Sequence, residues 1–138
     1  MTELEMRVAA TEATFARFHG QPLVLGTTDC ARMAAFHLKQ LGFKPSLLKG
    51  GAYSTPVGAR RALKRLGVSS LSEIMDQHFP RWDAPAQARV GDICCVVGDG
   101  DMGDAMQVVL HRNTVLGFLD GVCGEIINHQ YVAAWRVV

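Results

Sequence analysis

The chain has no excess of either charge. Its 14 Lys plus Arg stand against 13 Asp plus Glu in 138 residues, a net charge of +1 with histidines neutral. That balance gives no electrostatic case for a nucleic-acid backbone or an anionic membrane surface. No run approaches the roughly 18 apolar residues of a membrane span. The first residues, MTELEMR, are acidic and amphipathic, whereas a secretory signal is basic and then apolar. The expectation is a protein made and folded in a cytoplasm, with no nucleic-acid partner and no membrane span. Cysteine is also scarce: Cys30, Cys94, Cys95 and Cys123 lack the C-x-x-C spacing of a zinc or iron-sulfur site and are too few for a secreted disulfide scaffold. Reduced thiols are expected, with Cys94, Cys95 and Cys123 buried as small hydrophobes. Adjacent Cys94 and Cys95 fall in an apolar strand, so their side chains point to opposite faces. Gly98-Asp99-Gly100-Asp101 invites a calcium reading but lacks the remaining ligands and terminal glutamate of an EF-hand loop, and reads as a turn. Neither a metal nor a cofactor is expected.

What is present divides into a helical first part and a strand-rich second part, uninterrupted by repeats, and predicts a single α+β domain over residues 1–138. Leu4, Val8, Thr11 or Ala10, Phe15 and Phe18 recur at helical period and predict a first helix stopped by Gly20-Gln21-Pro22. A second helix runs from about Asp29 to Leu41, with Thr27, Thr28 or Asp29 as cap and Gly42 as breaker. Ser54-Thr55-Pro56 opens a third, whose Arg60, Arg61, Lys64 and Arg65 read as a solvated face opposite Ala59, Ala62, Leu63 and Leu66. Ser70-Leu71-Ser72-Glu73 fits a capping box for a short fourth helix ending near Phe79-Pro80. Five β runs follow: 92–97, 105–111, 114–119, 122–127 and 132–137. Their short spacing and the turns at 98–101 and Asp120-Gly121 imply an antiparallel sheet.

The most informative residue is Cys30, because Gly26-Thr27-Thr28-Asp29-Cys30 runs from a polar turn straight into the second helix. Free N-H groups and the positive end of the macrodipole favour a thiolate there, so the position suits a nucleophile with a lowered pKa. Asp29 reads as a cap, and Asp92 as ordinary turn chemistry at the start of a strand. Trp82 and Trp135 are expected to pack at the sheet edge or core.

Helices first, a cysteine opening a core helix, then a sheet introduced by Gly91-Asp92-Ile93 resembles the NlpC-type papain-like peptidases. Leu23 to Cys30 resembles that superfamily's segment ending in Asp-Cys, and Val90-Gly91-Asp92-Ile93 its Gly-Asp strand. More closely, the chain looks like a phage-encoded subfamily of unassigned activity found among siphophage tail genes. The matching pieces are Pro22 to Cys30, Tyr53 to Leu63, Gly91-Asp92 and Ala134-Trp135-Arg136-Val137, spread over nearly the whole chain. The resemblance implies a papain-like NlpC-type fold, with N-terminal helices on a C-terminal antiparallel sheet or partial barrel. It also implies a place at the virion tail tip or baseplate, between the hub and the large host-contacting protein, where some related proteins carry a working murein endopeptidase.

An active member pairs its cysteine with a histidine at the start of the strand after the Gly-Asp strand. Ala105 stands at that position, and Gly117 near that of the third polar residue. Without an imidazole the thiol lacks a general base, worth on the order of a hundredfold or more in rate. His111 is about 20 Å further along the same strand, and His37 is two helical turns, about 10 Å, from Cys30. His19 and His78 end helices. His129, in the loop before the last strand, is the remaining candidate base. Three readings follow. The leading one is a structural tail-tip component with a degenerate site, in which Cys30 is vestigial. The alternative is an active cysteine endopeptidase cleaving peptidoglycan during phage entry, with Cys30 as nucleophile. The third is a small-molecule or peptide-binding module.

Overall fold

A computed structural model describes residues 1–44, 51–97, 105–127 and 131–138. The turn at Gly98-Asp99-Gly100-Asp101 and the candidate base His129 lie outside the described residues. Within them the element order is α1 (Glu3–Phe18), α2 (Cys30–Gln40), α3 (Pro56–Arg65), α4 (Leu71–His78), β1 (Ile93–Val96), β2 (Ala105–His111), β3 (Thr114–Leu119), β4 (Val122–Ile127) and β5 (Ala133–Trp135). The helix starts follow local capping chemistry. Thr2, Asp29, Thr55 and Ser70 each accept a backbone N-H from the first turn of their helix, with Pro56 opening α3 behind Thr55. The capping box at α4 is incomplete. The Glu73 carboxylate returns to Ser69, at 3.0 Å from its N-H and 2.6 Å from its hydroxyl, and so caps the residue before Ser70.

The strands form one antiparallel sheet in the order β4-β3-β2-β1-β5. Asp120 and Gly121, both with positive φ, turn the β3–β4 hairpin as their sequence predicts. Residues 20–23 run along the start of the outer strand β4 and cover part of its edge, through Gly20 N to Cys123 O, Cys123 N to Gln21 O and Leu23 N to Gly121 O. The α+β class is therefore as the sequence predicts.

One face of the sheet carries the helices. Ile93, Cys95, Met106, Ala133 and Trp135 pack there against Ala31, Ala34, Ala35 and Leu38 of α2, Leu63 of α3 and Leu71, Ile74 and Met75 of α4. Val108, Leu116 and Cys123 extend that face under Phe18 and Met33. The other face holds Cys94, Val109, Val115 and Ala134 beneath Trp82, Ala88 and Tyr131. The adjacent cysteines thus point to opposite sides, and Cys94, Cys95 and Cys123 are all buried. Trp135 is fully buried, and its Nε1 donates to Asp76 Oδ1 at 2.9 Å. Trp82 is half-buried, with the Arg89 and Arg136 guanidinium groups 5.2 and 5.7 Å from its ring centroid.

The first helix departs from its apparent pattern. The side of α1 that the fold buries is Arg7, Ala10, Thr11, Thr14 and Phe18, whereas Leu4 and Val8 remain 62% and 37% exposed. A buried polar stripe is tolerated because each member is satisfied. Thr11 and Thr14 return their hydroxyls to the Arg7 and Ala10 carbonyls, at 2.7 and 2.9 Å. Arg7 crosses to the sheet, where its Nη1 meets Asp92 Oδ1 at 2.7 Å and the Val90 carbonyl at 3.0 Å.

Candidate functional site

Cys30 is the first residue of α2, held there by the Asp29 cap. Asp29 is buried and satisfies three donors: Arg32 N at 2.8 Å through Oδ1, and Gly26 N at 2.8 Å and the Tyr53 hydroxyl at 2.6 Å through Oδ2. Gly26 has a positive φ, and a Cβ there would overlap the Tyr53 carbonyl oxygen, so the turn needs glycine. The capping role expected for Asp29 is what the structure gives it. Tyr53 is the partner that inspection of the 26–35 segment misses; its only signal in the sequence is its place at the head of the Tyr53 to Leu63 piece. Burial, with the Asp29 carboxylate adding to it, pushes the Tyr53 phenol well above its usual range.

The thiol itself does not become a thiolate. Burial pushes Cys30 from 9.0 up to about 11, and the neighbouring Asp29 carboxylate adds to the rise. Backbone N-H groups of Met106, Ala31 and Cys30 itself favour the anion but do not prevail. The lowered pKa expected from the helix start is therefore corrected. The dipole is present, but the sulfur lies against β2 and beside a carboxylate, and desolvation outweighs it.

The strand next to the sulfur brings no base. Register pairs Cys95 with Met106, Cys94 with Gln107 and Val96 with Ala105. Strand alternation then puts Met106 on the α2 side, and Ala105 on the far side with Gln107. Neither alanine nor methionine titrates. Gly117 lies across from Gln107, whose Cγ would stand 2.9 Å from a Cβ added at 117, so the Gln107 side chain fills the space beside that glycine. None of the groups acting most strongly on the thiol is an imidazole.

The described histidines are engaged or distant. His37 is fully buried, with Nε2 2.7 Å from the Gly91 carbonyl and Nδ1 2.8 Å from the Thr14 hydroxyl. A carbonyl only accepts, so Nε2 carries the proton, and Nδ1 shares the single Thr14 hydroxyl proton with the Ala10 carbonyl. With both nitrogens occupied, the ring joins α2 to α1 and to the loop before β1, and does not serve Cys30. His19 ends α1 and stacks on Phe15 at 4.4 Å between ring centroids, His78 closes α4, and His111 is exposed at the end of β2.

Burial pushes the His37 pKa below 6.5. The sign of the linkage follows: below pH 6.5 the unfolded chain takes up a proton that the folded chain refuses, so stability is full above that pH and falls on acidification. Melting followed by circular dichroism at pH 7 and pH 5 is expected to show a larger drop in Tm for the native chain than for His37→Gln. Equal drops would refute the assignment.

Asp92, read from sequence as turn chemistry, is a buried junction. Besides Arg7, it accepts Trp82 Nε1 at 2.8 Å and Arg89 N at 2.9 Å through Oδ2, and Val137 N at 3.2 Å through Oδ1. One carboxylate thus ties α1, the loop before β1 and the residues after β5. Among the described residues no cluster of three or more His, Cys, Asp or Glu is arranged to hold a metal ion, and no helix is long and apolar enough to cross a membrane.

Fold and site together define an α+β domain with a capped, helix-borne cysteine over an antiparallel sheet. The chain belongs to the family described as a domain of unknown function, DUF6950, whose family model matches residues 3–137. No curated protein matches it.

Proposed function

We propose that the chain is a non-enzymatic structural component of a siphophage tail tip. In this reading it is a papain-like, NlpC-type fold with a degenerate peptidase site, lying in the virion between the hub and the large host-contacting protein. The observation that supports this most is the surroundings of Cys30: a neutral thiol beside a fully engaged Asp29, with Met106 and Ala105 on the adjoining strand and His37 committed elsewhere. A scaffold retains its fold after the chemistry it once supported has gone, and fold alone assigns no activity. The placement at the tail tip rests on the resemblance carried by Pro22 to Cys30, Tyr53 to Leu63 and the Ala134 to Val137 end.

Two measurements test the two halves of the proposal. Incubated with purified muropeptides, wild type and Cys30→Ser are both expected to leave the stem peptides intact. Cleavage by the wild type that disappears in Cys30→Ser would instead establish the peptidoglycan endopeptidase. Co-expressed with the tail genes, the chain is expected to elute with the hub and the host-contacting protein. Elution as a free protein would remove the tail-tip assignment.

A further inference from the structure

The apolar stripe on α1 that the fold leaves outside its core borders a groove. The groove has a volume of about 410 Å³. Val8, Phe15, Val90 and Leu110 supply its apolar lining, Thr11 and His111 add polar groups, and Glu12 of α1 and Glu125 of β4 line it as its two carboxylates. Helical geometry explains the exposure. At 3.6 residues per turn, Leu4 and Val8 lie about a quarter turn round from the buried stripe centred on Arg7 and Thr14, and Phe15, on the same line, is half-buried against the Phe18 and Met33 cluster. Both glutamates are exposed, and neither has an ion-pair or hydrogen-bond partner among the described residues.

We infer that this groove is a docking surface for a basic amphipathic segment of a partner protein, whose apolar side chains lie on Val8, Phe15 and Leu110 while lysine or arginine meets Glu12 and Glu125. Charge complementarity selects that occupant. An apolar floor with two unpaired carboxylates rewards a cation flanked by apolar groups and penalises an acidic segment through like-charge repulsion. The groove is of the kind that accepts an amphipathic helix through residues three and four apart. This inference does not rest on the tail-tip reading; it follows from the groove between α1 and the sheet and holds for any partner of this chemistry.

The test uses a short acetylated helical peptide of leucine and lysine at amphipathic spacing, and its counterpart with glutamate replacing every lysine, titrated into the isotopically labelled full chain. The lysine peptide is expected to shift amide resonances of residues 8–15, Leu110, His111 and Glu125 saturably. The glutamate peptide is expected to leave them in place. Combining Glu12→Lys with Glu125→Lys is expected to weaken the lysine peptide by about tenfold or more, and added salt is expected to weaken it in the native chain. Both glutamates are exposed and unpaired, so the variant is expected to keep the native Tm. Equal binding of the two peptides overturns the inference, as do shifts centred on the exposed Leu23, Leu119 and Val122. Concentration-dependent shifts at the groove without peptide would make a second copy the occupant and overturn it too.

Discussion

Alkylated at pH 7, Cys30 is expected to react between about ten- and a hundredfold more slowly than the same cysteine in the unfolded chain. Its pKa stands near 11 against 9.0 for the free thiol, which lowers the thiolate fraction on the order of a hundredfold. The greater intrinsic nucleophilicity of a more basic thiolate recovers part of that loss. The measurement is mass-spectrometric labelling of the four cysteines, native against denatured, across a pH series. Steric protection alone would slow labelling without moving the midpoint of the pH profile, so a Cys30 profile rising toward pH 11 separates the two causes. A profile with its midpoint below 8, or labelling faster than in the unfolded chain, would mean an activated thiol and would return the peptidase reading to first place.

The largest expected loss of stability is at Asp92. Asp92→Ala strands the fully buried Arg7 guanidinium without its 2.7 Å partner and removes the acceptor of Trp82 Nε1, Arg89 N and Val137 N. Removing one partner of a buried pair costs about 3–5 kcal/mol. In a chain of 138 residues that corresponds to a fall in Tm on the order of 10–20 °C. Glu3→Ala serves as the control, because it removes only the half-exposed carboxylate 3.3 Å from Arg7 Nε. Its effect is expected to stay within about 1 kcal/mol. A loss from Asp92→Ala no larger than that of Glu3→Ala would mean that water replaces the carboxylate.

Local chemistry was the legible part of this sequence. Thr55-Pro56, Ser70, Asp29 and the Asp120-Gly121 turn each carry their instruction within a few residues, and β2, β3 and β4 fall at their expected bounds. The buried face of α1 was illegible for a definite reason. Periodicity counts apolar residues, but Thr11 and Thr14 hide their hydroxyls on carbonyls one turn back, and Arg7 is neutralised by a residue 85 positions away. The candidate site divides in the same way. Asp29 as cap depended on the next three residues and was readable. The Cys30 pKa depended on strand β2 arriving against the sulfur, and His37 on Thr14 and Gly91, which no spacing along α2 announces.

The same junction bears on the order of events in time. Arg7 meets Asp92 across 85 residues and the Val138 carbonyl across 131, at 3.4 Å, while β5 docks beside β1 at the sheet edge away from β4. Closing such long loops is entropically slow, whereas the helix caps and the β3–β4 hairpin form from neighbours. The two ends of the chain are therefore expected to meet after the hairpin and the helices are in place, with the Asp92 junction acting as a latch. A latch absent from the folding transition state leaves the folding rate nearly untouched and governs how fast the native state opens. The stability lost in Asp92→Ala is accordingly expected on the unfolding limb of a denaturant chevron, as a shortened lifetime of the folded protein.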